Sequence, residues 1–255
     1  MAGAFYTREG VRFVPSESTR GPWDPGAQHA GPPAALLGRA IERCEPRDDM
    51  HVGRVTLEIL APVPLAPLET YARVVRPGRS VELLEASLTG PDGEVMRATA
   101  WRLQAGQVGT SSTSDAKPPG AERGLSRDFF PTGQDMGYHT AMEYRFIAGA
   151  FLEPGPATVW LRMRVPLVAG EDPSPLERVL VAADSGNGVS AALDYKRYLF
   201  INTDLSVHLL RPAVGEWVCL DAITHVDGLG LADTALWDER GRIGRAAQTL
   251  LVRRR

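Results

Sequence analysis

Residues 53–62, 68–76, 79–90 and 94–104 alternate apolar and polar side chains, and Pro or Gly separates each stretch from the next. Alternation at every second residue predicts strands with one buried face. A second set with the same pattern lies at 201–211, 216–226, 229–238 and 242–253, and further strands are predicted at 142–151 and 157–165. Phe5, Tyr6, Val11, Phe13 and Val14 predict a short hairpin. Ahead of the first strand set, Leu36, Leu37, Ala40 and Ile41 recur at helical spacing within His29–Arg43. Pro32 and Pro33 suit the first turn of such a helix, where a missing N–H costs nothing. In the second half, Val189, Ala192 and Leu193 predict a counterpart helix that starts at Asp184-Ser185-Gly186-Asn187-Gly188.

The two blocks are diverged copies. At an offset of 148 residues (205 − 57), positions 56–103 fall on 204–251 without a gap. Leu57 meets Leu205, Pro64 meets Pro212, Leu83 meets Leu231, Gly93 meets Gly241, and Arg97-Ala98 meets Arg245-Ala246. Apolar positions also match in kind, as in Ile59/Val207, Val75/Ile223 and Val95/Ile243. A duplicated fold lets one copy keep a site while the other decays, so polar residues that differ between copies are the first candidates for function.

Residues 105–124 are small, polar and proline-rich, with no side chains to build a core, and predict a linker. The expected division is 1–104, the linker 105–124, and 125–255. One helix followed by antiparallel strands, twice over, gives an α+β fold class.

Composition narrows the function. The formal charge is −3 and the pI about 6.0, which gives no reason to expect a nucleic-acid partner. Arg253-Arg254-Arg255 is the only basic run and reads as a solvated tail. Nearly all cations are Arg, Lys occurring only at 117 and 196, which together with the many Ala, Gly and Pro points to a GC-rich, bacterial source. Cys44 and Cys219 lack metal spacing and read as free thiols in a reducing compartment. No apolar run approaches the ~18 residues of a membrane span, and no secretory leader is visible. The expected location is the cytoplasm.

A His/Gly or Asp/Gly segment opening a helix, followed by a long antiparallel sheet, resembles the hot-dog fold. Two such units, with Phe200-Ile201-Asn202-Thr203-Asp204-Leu205-Ser206-Val207-His208-Leu209-Leu210-Arg211-Pro212 and Gly215-Glu216-Trp217, resemble the TesB-like acyl-CoA thioesterases. So does the segment from Asp238 to Arg253. The resemblance is best over 181–253, weaker over 5–104 and absent from the linker. It implies a double hot-dog of two fused units, each with a central helix wrapped by its sheet. It also implies a triad of Asp, Thr or Ser, and Gln in the second unit. Asp184 matches the aspartate and Gln248 the glutamine, while the hydroxyl position holds Asn202. Asn202 can bond water through its carbonyl but cannot relay a proton as a hydroxyl does.

Each residue also has a plainer role. Asp184 at a helix start would be an N-cap, compatible with holding water through its second oxygen. Gly186 and Gly188 allow close backbone approach, and N–H groups there would polarise a thioester carbonyl. Gln248 lies among apolar neighbours on a strand, and its equivalent in the first unit is Ala100, which cannot bond water. Asn202 falls on Arg54. His29 begins the first helix, as a cap or as a contact to substrate. No His/Cys/Asp spacing suggests a metal, and no G-x-S-x-G elbow or phosphate loop is present.

The expected activity is therefore hydrolysis of an acyl-CoA to free acid and CoA. Asp184 would activate water, Asn202 and Gln248 would hold it, and no cofactor would take part. The acyl chain would enter an apolar tunnel between units, and chains could assemble as homo-oligomers. Two alternatives stand beside this. A hot-dog hydratase or dehydratase would need His29 beside Asp184 with Gln248 turned away. A non-catalytic acyl-CoA or lipid-binding protein is compatible with Asn202 at the hydroxyl position.

Overall fold

The computed structural model describes residues 3–106 and 116–255. In chain order the elements are β1 (Tyr6–Glu9), β2 (Arg12–Pro15), α1 (Gly31–Arg43), β3 (Met50–Ile59), β4 (Leu68–Arg76), β5 (Val81–Gly90) and β6 (Gly93–Gln104). The second half carries α2 (Tyr138–Ala141), β7 (Met142–Ala150), β8 (Glu153–Met163), α3 (Pro175–Ala183), α4 (Gly186–Val189) and β9 (Tyr198–Asn202). It ends with β10 (Asp204–Leu209), β11 (Val218–Asp227), β12 (Leu229–Trp237) and β13 (Arg242–Arg254). Thirteen strands form one sheet in the order β1-β2-β4-β5-β6-β3-β10-β13-β12-β11-β8-β7, with β9 also paired to β13.

The halves meet where β3 pairs with β10. Leu57 lies directly opposite Leu205, and both are buried. Residues at the repeat offset therefore face each other across an antiparallel seam, the relation a local two-fold axis imposes. Joining the sheets here pairs two edges that would otherwise expose backbone donors. Fully burying each leucine adds about 1.5–3 kcal/mol.

Alternation directs the core to one face. On β5, Leu84, Ala86 and Leu88 are buried, and on β6 Met96, Ala98 and Ala100. α1 lies against β3, β4, β5 and β6, while α3 contacts β8 and β11. The two helices pack on each other antiparallel. Glu42 of α1 accepts a 2.6 Å hydrogen bond from Ser174 Oγ at the start of α3, and Gly31 at the start of α1 abuts Val181 near the end of α3. A Cβ at Gly38 would lie 2.5 Å from Leu180 Cδ1, so the leucine side chain packs over bare backbone there.

The second central helix lies earlier than the sequence reading placed it. α3 runs from Pro175 to Ala183 and ends at Asp184, which is its C-terminal and not its N-terminal cap. Ser174 and Glu177 close a capping box around Pro175, and Val179, Leu180 and Val181 are buried. After Asp184 only the single turn of α4 forms, with Gly186 and Gly188 in it. The strand expected over 201–211 is broken at Thr203 into β9 and β10. Much of the expected linker, residues 107–115, lies outside the described residues. Beyond it, Pro119 accepts a 2.7 Å bond from Trp160 Nε1, where Trp160, Cys219 and Trp237 form a smaller apolar cluster.

Candidate active site

Four segments converge on the carboxylate of Asp184, which is 5% exposed. Its Oδ1 accepts from Asn202 Nδ2 at 2.8 Å and from Gln248 Nε2 at 3.2 Å. Its Oδ2 lies 3.0 Å from His29 Nδ1. Asn202 ends β9, Gln248 sits within β13, Asp184 follows α3, and His29 precedes α1 in the other half of the chain. The antiparallel helix pair makes this possible, since it sets the start of α1 beside the end of α3.

Strand register aims the amides. Asn202 pairs with Leu250 across the β9–β13 ladder, so its side chain leaves on the same face as Leu250 and Gln248. Gln248, 1% exposed, is satisfied at both ends. Its Oε1 accepts from the Asn187 backbone N–H at 3.1 Å, and its Nε2 also reaches the Asp184 carbonyl at 3.2 Å. Asn202 Nδ2 is shared with the Asp204 carbonyl at 3.4 Å, while its Oδ1 meets no donor among the described residues. That carbonyl is left as the open acceptor of the cluster.

A carboxylate just past the C-terminal end of a helix sits at the negative pole of the helix dipole, typically unfavourable by about 0.3–1 kcal/mol. The amide donors of Asn202 and Gln248 offset this. The corresponding end of α1 is handled in the opposite way. There Arg102 donates to the carbonyls of Cys44 and Glu45 and is held by Glu82, a buried ion pair that keeps the Glu82 carboxyl below its usual range. At the repeat offset Arg102 becomes Leu250 and Glu82 becomes Gly230. One helix end is thus capped by a cation and the other presents a carboxylate.

Gly186 and Gly188 have different surroundings. A Cβ at Gly186 would meet Thr234 Oγ1 at 2.7 Å and Gln248 Oε1 at 3.0 Å, so glycine is needed for the amide to approach α4. Gly188 has open space where a Cβ would be. The Asn187 N–H, between them, is already taken by Gln248.

Residues that the sequence reading did not single out complete the surroundings. Tyr138 stacks on His29 with ring centroids 3.7 Å apart. Its hydroxyl donates to the Val181 carbonyl at 2.7 Å and lies 2.9 Å from Ser185 Oγ. Burial holds the Tyr138 phenol well above its usual range, so it stays protonated. Thr234, buried beside Gly186, maps at the repeat offset onto Ala86, the signal that could have found it. Tyr138 lies outside the repeat and carried no such signal.

Two cavities lie away from this cluster. One of about 830 Å³ is lined by Lys117, Glu143, Arg145, Arg162, Trp217 and others, and one of about 430 Å³ by Glu42, Met50, Arg102, Leu176 and Leu209 among others. Neither touches Asp184, Asn202 or Gln248.

Comparison with known proteins gives the family. The family described as acyl-CoA thioesterase C-terminal domain matches residues 114–252, and that described as acyl-CoA thioesterase N-terminal domain matches 19–103. The chain belongs to the acyl-CoA thioesterase family and is a thioester hydrolase. Among solved structures it resembles a protein of Thermobifida fusca YX provisionally described as a thioesterase II. That match has TM-score 0.75 and 17% identity, covering 98% of this chain and 94% of the other. A protein of unknown function with hot-dog fold from Alicyclobacillus acidocaldarius matches with TM-score 0.72 and 16% identity, over 98% and 95% of the two chains. An acyl-CoA thioesterase II of Mycobacterium marinum matches with TM-score 0.64 and 14% identity, over 91% of each. At these identities the structures establish the hot-dog fold alone. No curated protein sequence matches the chain.

Proposed function

We propose that this chain hydrolyses acyl-CoA thioesters at the Asp184 cluster, within a double hot-dog whose units are residues 1–104 and 125–255. The observation that carries the proposal is one buried carboxylate held by three side-chain nitrogens from three other segments, Asn202, Gln248 and His29. Such an arrangement fixes a general base in position. Water sits between Asp184 and the open Asn202 carbonyl. Its oxygen attacks the thioester carbon as its proton passes to Asp184. The tetrahedral intermediate collapses, the C–S bond breaks, and Asp184 returns the proton to the departing thiolate. Gln248 holds the carboxylate and ties it to α4 through Asn187. The scheme uses water and side chains without a metal, nucleotide or redox cofactor, and the two free thiols, Cys44 and Cys219, suit a reducing cytoplasm.

The test is release of CoA thiol from a panel of acyl-CoAs of differing length, with Asp184→Asn alongside. The wild type should release thiol. The variant should fall by roughly 10²-fold or more, the scale for losing a general base. Asparagine would also turn its NH₂ toward donors, costing about 1–3 kcal/mol of stability, so melting must be followed in parallel. A variant as fast as the wild type would reduce Asp184 to a structural role. Acyl-CoA binding without thiol release by the wild type would indicate the binding-protein alternative.

The hydratase alternative draws on one specific observation, the 3.0 Å approach of His29 to Asp184. Its second requirement is not met, because Gln248 turns toward Asp184 and not away. Loss of the enoyl absorbance of a 2-enoyl-CoA without thiol release would favour it.

A further inference from the structure

The ladder between β9 and β13 runs from the Asp184 cluster to an open basic end. Asn202 pairs with Leu250, Phe200 with Val252, Leu199 with Arg253 and Tyr198 with Arg254. Lys196 and Arg197 stand in the turn before β9, and the Arg255 N–H donates to the Arg197 carbonyl. The run 253–255, which reads as a solvated tail in the sequence, is thus fastened to the site's own strand. Five cations gather there, Lys196, Arg197, Arg253, Arg254 and Arg255, all exposed.

Among the described residues none of these five is in an ion pair. Several exposed arginines elsewhere on the sheet are closed by carboxylates, as in Arg12 with Glu69, Arg97 with Glu94 and Arg245 with Asp233, while Arg8 and Arg76 bond single backbone carbonyls and are not clustered. An unpaired cation cluster on a chain of net charge −3 repels itself and attracts a polyanion. The cluster also adjoins Trp23, the exposed member of an aromatic group whose Phe200 and Phe130 are buried. The Arg255 guanidinium lies 5.7 Å from the centre of the Trp23 ring. Trp23 in turn meets Phe200 edge-on at 5.9 Å and stacks on Phe130 at 5.1 Å. Phe200 is two residues from Asn202 and on the same face.

We propose that Lys196, Arg197, Arg254 and Arg255 hold the diphosphate and 3′-phosphate of coenzyme A, with the pantetheine arm lying over Trp23 toward Asp184. The proposal rests on the acyl-CoA reading of the site and adds where the CoA moiety binds. The reach is consistent. Arg197 is five residues from Asn202, about 17 Å along an extended chain. A pantetheine arm with its two amides in series spans about as much as four extended residues, ~14 Å, and the long arginine side chains cover the remainder. Guanidinium forks match phosphate oxygens in pairs. Alternation sends Arg254 to the face of Gln248 and Arg253 to the opposite one, so Arg253 serves as a control of equal charge.

The experiment compares an acyl-CoA with the N-acetylcysteamine thioester of the same acyl group, which has no phosphates. In Lys196→Glu/Arg197→Glu and in Arg254→Glu/Arg255→Glu, KM for acyl-CoA should rise at least ~10-fold with kcat little changed. KM for the truncated thioester should stay within about 2-fold. Arg253→Glu should move KM for acyl-CoA less than either double variant. Raising salt should weaken acyl-CoA use by the wild type more than by the variants. An unchanged KM for acyl-CoA, or equal changes for both substrates, overturns the proposal. If the wild type hydrolyses neither substrate, the thioesterase reading fails separately, and calorimetry with CoA alone decides this one. CoA bound by wild type and lost in the double variants supports it, and CoA unbound by wild type overturns it. Tighter binding of a single-stranded oligonucleotide or anionic vesicles than of CoA would also overturn it.

Discussion

The Nδ1 atom of His29 stands 3.0 Å from Asp184 Oδ2 and 3.1 Å from the backbone nitrogen of Gly31. One ring nitrogen cannot donate to the carboxylate and accept from the N–H at the same time. With the proton on Nδ1, Asp184 gains its third donor. With the proton on Nε2, the start of α1 gains an acceptor. The pair therefore links the state of the carboxylate in one unit to the helix start in the other.

This yields a test of what His29 does. An asparagine there can place its amide NH₂ near the position of Nδ1, whereas alanine leaves Asp184 one donor short. If His29 acts by holding the carboxylate, His29→Ala should lower kcat about 10²-fold and His29→Asn should stay within roughly tenfold of wild type. Equal losses in both variants would mean the imidazole itself carries a proton. Stopped thiol-release assays on both variants, with melting curves, separate these outcomes.

Gln248 and Ala100 are equivalent positions in the two copies, and both are buried. Truncating Gln248 removes the link from Asp184 to the Asn187 N–H and leaves buried polar groups unmatched, at about 1–3 kcal/mol. Gln248→Ala should lose most thiol release and lower the denaturation midpoint. Ala100→Ser should alter stability by a similar amount at most and leave activity near wild type. A slowly hydrolysed acyl-CoA analogue should saturate at one per chain in a calorimetric titration. Two equivalent sites per chain would mean the first unit is still functional.

The strands were legible because alternation and Gly/Pro punctuation agree, and β4 falls on the predicted 68–76. The second helix was misplaced for a physical reason. Val189 is buried and suggested a helix, but Gly186 and Gly188 flank a single turn, while the capping box at Ser174 and Glu177 begins the real one. The polar residues around Asp184 could be named from the repeat and the family resemblance. Their mutual contacts could not, since His29 and Asp184 lie far apart in sequence and meet through the antiparallel packing of α1 on α3. The role of residues 253–255 was hidden likewise, because only the register with β9 shows where they go.

Glu177 provides a pH test independent of activity. Burial, with the nearby Glu42 carboxyl adding to it, pushes its carboxyl up to about 7 from an ordinary 4.5, although the Ser174 N–H opposes this. The folded state therefore keeps this proton at pH values where the unfolded chain has lost it. Its contribution to stability falls as pH rises from about 4.5 to about 7 and stays low above that. Glu177→Gln keeps an acceptor for the capping box and removes the titration. The variant should be more stable than wild type at pH 8 by on the order of 1–3 kcal/mol, with the gap narrowing toward pH 5. Urea midpoints at several pH values measure this. A gap that does not change with pH would mean that Glu177 is not titrating in this range.

Asn202 is where the chain departs from the hydroxyl that the family resemblance implies, and its amide has one end bonded and one end open. The amide donates to Asp184 Oδ1 at 2.8 Å and leaves its carbonyl open. A threonine hydroxyl offers one donor and acceptor lone pairs on a single atom, so it can bond Asp184 and water together, though from a shorter side chain. Asn202→Thr should therefore keep thiol release within about tenfold of wild type, and Asn202→Ala, which loses both contacts, should drop about 10²-fold. Asn202→Asp should fare worst, because a second carboxylate beside Asp184 repels its charge and accepts where a donor is required. The order Thr, then Ala, then Asp in kcat tests the assignment. An Ala variant as active as wild type would show that Asn202 neither holds the carboxylate nor positions water.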